Sequence, residues 1–211
     1  MPRLYIISGC NGSGKTTSSY SMLPEMLECR QYVNSDELAK SLSPYNPSVA
    51  SIRASRYMLM KINYLMEREE TFGIETTLAT RSLLTIIERA QSRGYEVTVI
   101  YFWLSSPQMA IERVRRRVAS GGHDILDKVI IRRYYLGLDY LFNLYIPLCD
   151  HWILADNTKA PFKVIAQGNK GADPIIKDQQ TFSIIKTITV SARKLSSENL
   201  PDGEDSEAEE N

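Results

Sequence analysis

Five short strand-like runs punctuate the chain, at residues 4–8, 31–34, 71–77, 97–104 and 151–155. The first, Leu4-Tyr5-Ile6-Ile7-Ser8, is apolar on both alternating faces, the pattern of a strand buried inside a parallel sheet. Residues 97–104 carry the strongest pattern of this kind. Between the runs lie stretches of helical period. Residues 15–29 form one, in which Pro24 should kink or shorten the helix. Residues 50–68 form another, with Ile52, Leu59, Ile62 and Met66 at helical spacing. Residues 81–93 form a third, closed by Gly94. Ser35-Asp36-Glu37 and Ser105-Ser106-Pro107 each open a helix, and a last one spans about 126–145, stopped by Pro147. Ser43-Pro44-Tyr45-Asn46-Pro47 is a turn-rich break. Residues 162–177 read as a small hairpin turning at 168–171. Strand and helix alternate throughout, which predicts an α/β fold with a mainly parallel five-stranded sheet flanked by helices.

The 211 residues suffice for one such domain. Hydrophobic content of 43% and charged content of 24% are ordinary for a globular chain. The formal net charge of zero hides an asymmetry. Residues 196–211 hold seven acids and no base, so residues 1–195 carry a formal charge of +7. A basic body suits an anionic ligand, and the end of the chain reads as a solvated, disordered acidic tail. No stretch has the roughly 18 consecutive apolar residues of a membrane span, and residues 1–8 lead straight into a glycine-rich loop rather than a secretory signal. Cys10, Cys29 and Cys149 are widely spaced and odd in number, so neither a disulfide framework nor a zinc site is implied. A cytoplasmic location is the expectation. The basic excess centres on residues 113–133 with no recognition module, so no nucleic-acid partner is expected.

Gly9-Cys10-Asn11-Gly12-Ser13-Gly14-Lys15-Thr16 matches G-x-x-x-x-G-K-[ST], placed between a buried strand and a helix. The glycines let successive backbone N–H groups turn toward phosphate oxygens, and the helix that follows presents its positive end to an anion. Lys15 reaches the β- and γ-phosphates, while the Thr16 hydroxyl ligates Mg²⁺. Asn11, Ser13 and Thr17 belong to the same ATP site. The pattern establishes a triphosphate loop and is silent about what accepts the phosphate.

Further segments resemble the zeta-toxin-like kinases, including the chromosomal branch described as predicted ATPases. They are Val33-Asn34-Ser35-Asp36-Glu37, Leu42-Ser43-Pro44-Tyr45-Asn46-Pro47, Ile74-Glu75-Thr76-Thr77-Leu78, Gly121-Gly122-His123-Asp124-Ile125, Ile131-Arg132-Arg133-Tyr134, Leu141-Phe142-Asn143-Leu144-Tyr145 and Asp156-Asn157. The likeness covers about residues 3–180. It implies a P-loop kinase fold over 1–195, with a mobile lid at about 118–127, and ATP with Mg²⁺ as donor. The established acceptor in the toxin branch is UDP-N-acetylglucosamine, phosphorylated on a sugar hydroxyl. The toxin relatives are held inactive by a small helical antitoxin, so such a partner is possible for this chain.

Asp36 follows the second strand, at the carboxyl edge where α/β proteins place ligands. The resemblance makes it the general base, and the residue alone reads equally as a helix cap. Many relatives carry a second acid where this chain has Asn34. The resemblance gives Glu75 and Thr77 to the substrate pocket. Glu75 could instead hold Mg²⁺ through water, because residues 97–104 contain no acid for that role. Arg81 is offset by two positions from a family arginine. Arg113, Arg115, Arg116 and Arg117 precede the Gly121-Gly122 pair, and Arg132 and Arg133 follow it. Lids of this kind close on the triphosphate and stabilise transferring charge, although a charge run is also what a solvated helix face looks like. The expectation is Arg117 and one of Arg132 or Arg133 at the phosphates, with Arg113 against the adenine. Asp156 and Asn157 fall where related kinases wrap that base, and loop chemistry alone would also account for them. Competing readings are a kinase for an antibiotic, a nucleoside or an RNA end, and a regulatory ATPase without transferase activity.

Overall fold

The structure is a computed structural model that describes residues 1–122 and 124–199. His123, the lid histidine of the sequence, and residues 200–211 of the acidic tail lie outside the described residues. The chain runs β1 (Arg3–Ser8), α1 (Lys15–Met26), β2 (Gln31–Val33), α2 (Ser35–Leu42), a 3-10 turn (Pro47–Ala50), α3 (Ser51–Glu67), β3 (Phe72–Thr76), α4 (Ser82–Ser92) and β4 (Glu96–Trp103). It continues through α5 (Pro107–Ala119), α6 (Asp127–Tyr140), a π-helical turn (Leu141–Tyr145), α7 (Ile146–Leu148), β5 (His151–Asp156), β6 (Lys163–Asn169), β7 (Ile175–Ile176) and α8 (Gln179–Asn199).

The sheet has seven strands rather than five, in the order β2-β3-β1-β4-β5-β6-β7. The first five pair in parallel. The expected hairpin is not separate: β6 and β7 extend the sheet antiparallel from β5, so β5 is not an open edge. β1 lies between β3 and β4, and the helix that follows it, α1, packs on one face while α4 and α5, which follow its neighbours, pack on the other, the arrangement that opens a crevice in which open α/β sheets bind ligands. Both faces are covered, as the doubly apolar strands require. Leu4, Ile6, Val97 and Val99 face one core with Ile62, Leu65, Ile87, Val114 and Leu138 from the helices. Tyr5, Ile7, Ile100 and Phe102 face the other, with Met22 and Leu23 of α1.

Several boundaries differ from expectation, each for a physical reason. α1 carries Pro24 inside it and stops at Met26 rather than Cys29. The left-handed φ of Glu28 turns the chain back there. Pro147 does not stop a helix but sits in the first turn of α7, where its missing N–H is tolerated. In α3 the period is helical, but Ile52 and Leu59 are exposed. Ala54, Ile62, Leu65 and Met66 face inward instead. The first half of α3 packs on α2 through Ala39, Ala50 and Ala54, and only its second half meets the sheet. α8 has no counterpart among the expected elements and takes residues 196–199 from the expected tail. Its anchor is Ile185, fully buried, with Phe182 and Ile188 beside it at three-residue spacing.

Candidate functional site

The loop after β1 takes its shape from its glycines. Gly9, Gly12 and Gly14 have φ of 139°, 78° and 85°, a region other residues enter only under strain. Each is also hemmed in. A Cβ on Gly9 would lie 2.4 Å from the Phe102 carbonyl oxygen, one on Gly12 2.5 Å from that of Ala110, and one on Gly14 2.5 Å from Asn157 Nδ2. The loop is thus pressed against β4, α5 and the segment after β5. Lys15 opens α1 and is buried, its Nζ donating to the Cys10 carbonyl at 3.0 Å. Asn11 and Ser13 are buried too, and Thr17 is exposed on the first turn of α1. Burial holds the Cys10 thiol up to about 11 despite the opposing pull of Lys15, so it stays protonated and is no nucleophile.

Glu75, at the end of β3, meets the loop directly. The Thr16 hydroxyl donates to its two carboxylate oxygens, at 3.0 and 2.9 Å. Lys15 Nζ stands 4.0 Å from Oε1, with the carboxylate side chain 9% exposed. Parallel pairing explains the convergence: Ser8 stands beside Thr76, so the loop leaving β1 passes over the last residues of β3. Tyr32 is the residue that sequence reasoning missed. Its hydroxyl donates to Glu75 Oε2 and lies 3.4 Å from Ser19 Oγ. Burial first, and the Glu75 charge second, push the phenol far above its ordinary value, so it remains a donor. Gly73, the partner of Tyr32 in the β2–β3 register, makes room for Leu23 of α1, to whose Cδ1 a Cβ would lie 3.1 Å, and not for the Tyr32 ring, which would stand at an ordinary 3.5 Å.

Asp36 is exposed at the second position of α2. Asn34, not Asp36, caps this helix, its Oδ1 accepting from the backbone N–H groups of Asp36 and Glu37 at 2.9 and 3.3 Å. Capping therefore does not occupy the Asp36 carboxylate. Thr77 follows β3, and Leu78 beyond it is buried with φ 61°. This segment is clasped from α6 and the π-turn: Gly137 packs on the Thr77 carbonyl, Tyr145 donates to the Thr80 carbonyl, and Arg81 lies over the Tyr140 ring at 5.5 Å.

The arginines divide. Arg133 is half-buried and donates to Asn11 Oδ1 at 3.2 Å, which brings it to the phosphate loop. Arg132 is exposed. Arg117 is exposed on the last turn of α5, with Gly122 folded back against it. Arg115 pairs with Asp127 at 2.6 Å across the loop between α5 and α6. Arg113 donates to the carbonyls of Asn157 and Thr158, both at 2.9 Å. Asn157 in turn donates to the Ser13 carbonyl at 2.7 Å, and Asp156 Oδ1 accepts from the Thr158 N–H. Arg113, Asp156 and Asn157 thus form a brace between α5, β5 and the loop. Among the described residues no group of three or more His, Cys, Asp or Glu side chains could hold a metal ion. The hard oxygens of Thr16 and Glu75 fit a cation that takes the rest of its shell from phosphate and water, as Mg²⁺ does.

A Zeta toxin family model matches residues 1–135. An uncharacterized protein of Haemophilus influenzae is 29% identical over 126 residues, 60% of this chain and 88% of that protein. The AvrRxo1-ORF1:-ORF2 complex in its native form superposes with a TM-score of 0.69 at 14% identity, over 90% of this chain and 64% of that one. With ATP bound, the same complex gives 0.68 at 15%, over 97% and 66%. This chain therefore spans just under two thirds of that protein. The PezAT chromosomal toxin-antitoxin system of Streptococcus pneumoniae gives 0.62 at 14%, over 94% and 87%.

Proposed function

From the premise that the chain belongs to the Zeta toxin family, we propose that it is an ATP-dependent kinase whose acceptor is a sugar hydroxyl of UDP-N-acetylglucosamine. The observation that supports this reading is a triphosphate loop after β1 together with a carboxylate, Asp36, at the same edge of the sheet after β2, two strands away, which the helix cap does not use because Asn34 takes it. In this reading the acceptor oxygen bonds to the γ-phosphorus as the bond to the β-γ bridging oxygen breaks, and Asp36 takes the acceptor proton. Lys15 and Arg133 stabilise the charge on the transferring group, and Thr77 contacts the acceptor. Arg117 joins them when the segment around Gly121 closes, and the Arg113–Asn157 brace shapes the adenine end. Mg²⁺, held by Thr16, supplies charge neutralisation on the phosphates.

With Mg²⁺ and labelled ATP, phosphate is expected on UDP-N-acetylglucosamine. Label on some other metabolite and on no nucleotide sugar would sink the substrate assignment. Asp36→Asn should lower transfer by about 10²–10⁴-fold, the usual contribution of a general base, with ATP affinity unchanged. A small helical antitoxin is part of the same proposal, supported by the PezAT system being one of toxin and antitoxin.

A further inference from the structure

We propose that the outer face of α3 is a homodimer contact, covered by the same helix of a second copy of this chain running antiparallel about Met60. The inference depends on neither the triphosphate loop nor any acceptor.

A helix on the surface of a globular protein buries one apolar stripe and turns polar residues outward. α3 does the first and not the second. Its inner stripe is Ala54, Ile62, Leu65 and Met66. Yet Ile52, Tyr57, Leu59, Met60 and Tyr64 lie between 47% and 64% exposed. Single exposed apolar residues need no explanation, whereas a run of five large ones along one helix marks a contact surface. The composition also fits, because protein interfaces are enriched in Tyr, Met and Arg and poor in Lys. Arg53 and Arg56 are exposed on this face, while Lys61 turns away and donates to the Tyr32 carbonyl at 3.0 Å.

The charges identify the occupant. Arg53 and Arg56 sit in the N-terminal half of α3, which holds no acid, and Glu67 is its last residue. Both placements oppose the helix's own dipole, which favours acids at its start and bases at its end. No acid in the first turn and no base in the last offsets them. Arg68, just beyond the helix, is engaged by Glu70 at 2.8 Å. Among the described residues Arg53, Arg56 and Glu67 make no ion pair. Arg53, Arg56, Met60, Tyr64 and Glu67 recur at intervals of three or four residues, so they share one face. Arg53 and Glu67 are equidistant from Met60 along it.

Turned end for end, this face complements itself. The two helix dipoles then run opposed, Arg53 and Arg56 of each copy stand opposite Glu67 of the other, and Tyr64 offers its ring to an arginine. Self-complementarity under a two-fold axis is what an isologous contact requires. One helix face is a small interface, so the dimer forms in the micromolar range rather than obligately.

Sedimentation velocity on the full chain over a wide concentration range tests this. Wild type is expected to pass from monomer to dimer at micromolar concentrations. Met60→Glu sets two like charges against each other at the axis and should raise the dissociation constant by roughly 10-fold or more. A double variant, Arg53→Glu with Arg56→Glu, should weaken self-association in the same way, and so should Glu67→Lys alone. Mixing the double variant with Glu67→Lys should restore dimers holding one of each. In that pair the new acids meet the new base, and the other half keeps its native pairing. All the substituted residues are exposed, and a folding defect in either variant cannot produce recovery on mixing. A wild type that stays monomeric up to roughly millimolar concentration overturns the proposal, whatever other protein binds this face. So does a dimer indifferent to Met60→Glu. Dimers broken by Met60→Glu but not recovered in the mixture overturn the antiparallel pairing.

Discussion

His151 begins β5, at the end of the parallel sheet opposite the phosphate loop. Its Nε2 lies 2.7 Å from Glu96 Oε1 and its Nδ1 2.8 Å from Asn169 Oδ1. Both neighbours are acceptors, so the doubly protonated ring is favoured and the pKa rises above its ordinary 6.5, first through the Glu96 contact and then through Asn169, with partial burial opposing. A raised folded pKa means that the folded state binds the proton more tightly. The stabilising contribution is thus complete below about 6.5 and is lost as the pH rises through the folded value. Urea midpoints measured from pH 5 to 9 should fall more steeply in wild type than in His151→Gln, and parallel curves would refute the contact's role. Phosphoryl transfer should not follow this titration, because the histidine is remote from the loop. At the same scale, Asn34 illustrates how one side chain bears on another: by taking the cap it leaves the Asp36 carboxylate out of the capping of α2.

α6 and the π-turn after it act as the wall behind the segment from Thr77 to Arg81. Gly137 is the point of closest approach, where a Cβ would lie 2.9 Å from the Thr77 carbonyl oxygen and 3.0 Å from Tyr101 Oη. Gly137→Ala gains helix propensity of about 1 kcal/mol but forces α6 away from a packed backbone, and overpacking of this kind costs about 1–3 kcal/mol. A net destabilisation is expected in chemical denaturation, together with a raised acceptor KM. A stabilised variant would show that the clasp is slack. α8 belongs to the same packing unit, joined by Ile185 in the core and by the edge-to-face contact of Phe182 with Phe142 at 6.1 Å. Its helical signal in the sequence is weak, because Thr187, Ile188, Thr189 and Val190 are β-branched residues of modest helix propensity.

For the molecule as a whole, the loop joins elements that sequence separates widely: Ser13 is tied to Asn157, Asn11 to Arg133 and Thr16 to Glu75. A ligand bound there should therefore stabilise the entire fold. At an ATP concentration about 100 times Kd, linkage adds about 2.7 kcal/mol. For a chain of this size that corresponds to a rise in Tm on the order of 5–10 °C. Scanning calorimetry with and without Mg²⁺-ATP tests this, and an unmoved Tm at saturating nucleotide would speak against the site.

The sequence alone determined what is encoded by local spacing. The glycine pattern, Lys15 and Thr16 define the loop within eight residues, and the doubly apolar runs define buried parallel strands. Strand and helix alternation then sets the fold class. Asp36, Glu75, Arg133 and Asn157 could be proposed one by one, but not their partners. That Glu75 turns to Thr16, that Tyr32 holds it, that Arg133 rather than Arg132 reaches the loop, and that Arg113 braces Asn157 were decided by the tertiary structure. These contacts span from 43 to 122 residues of chain. They depend on strand order and register, which arise from long-range packing and leave no period in the sequence to read.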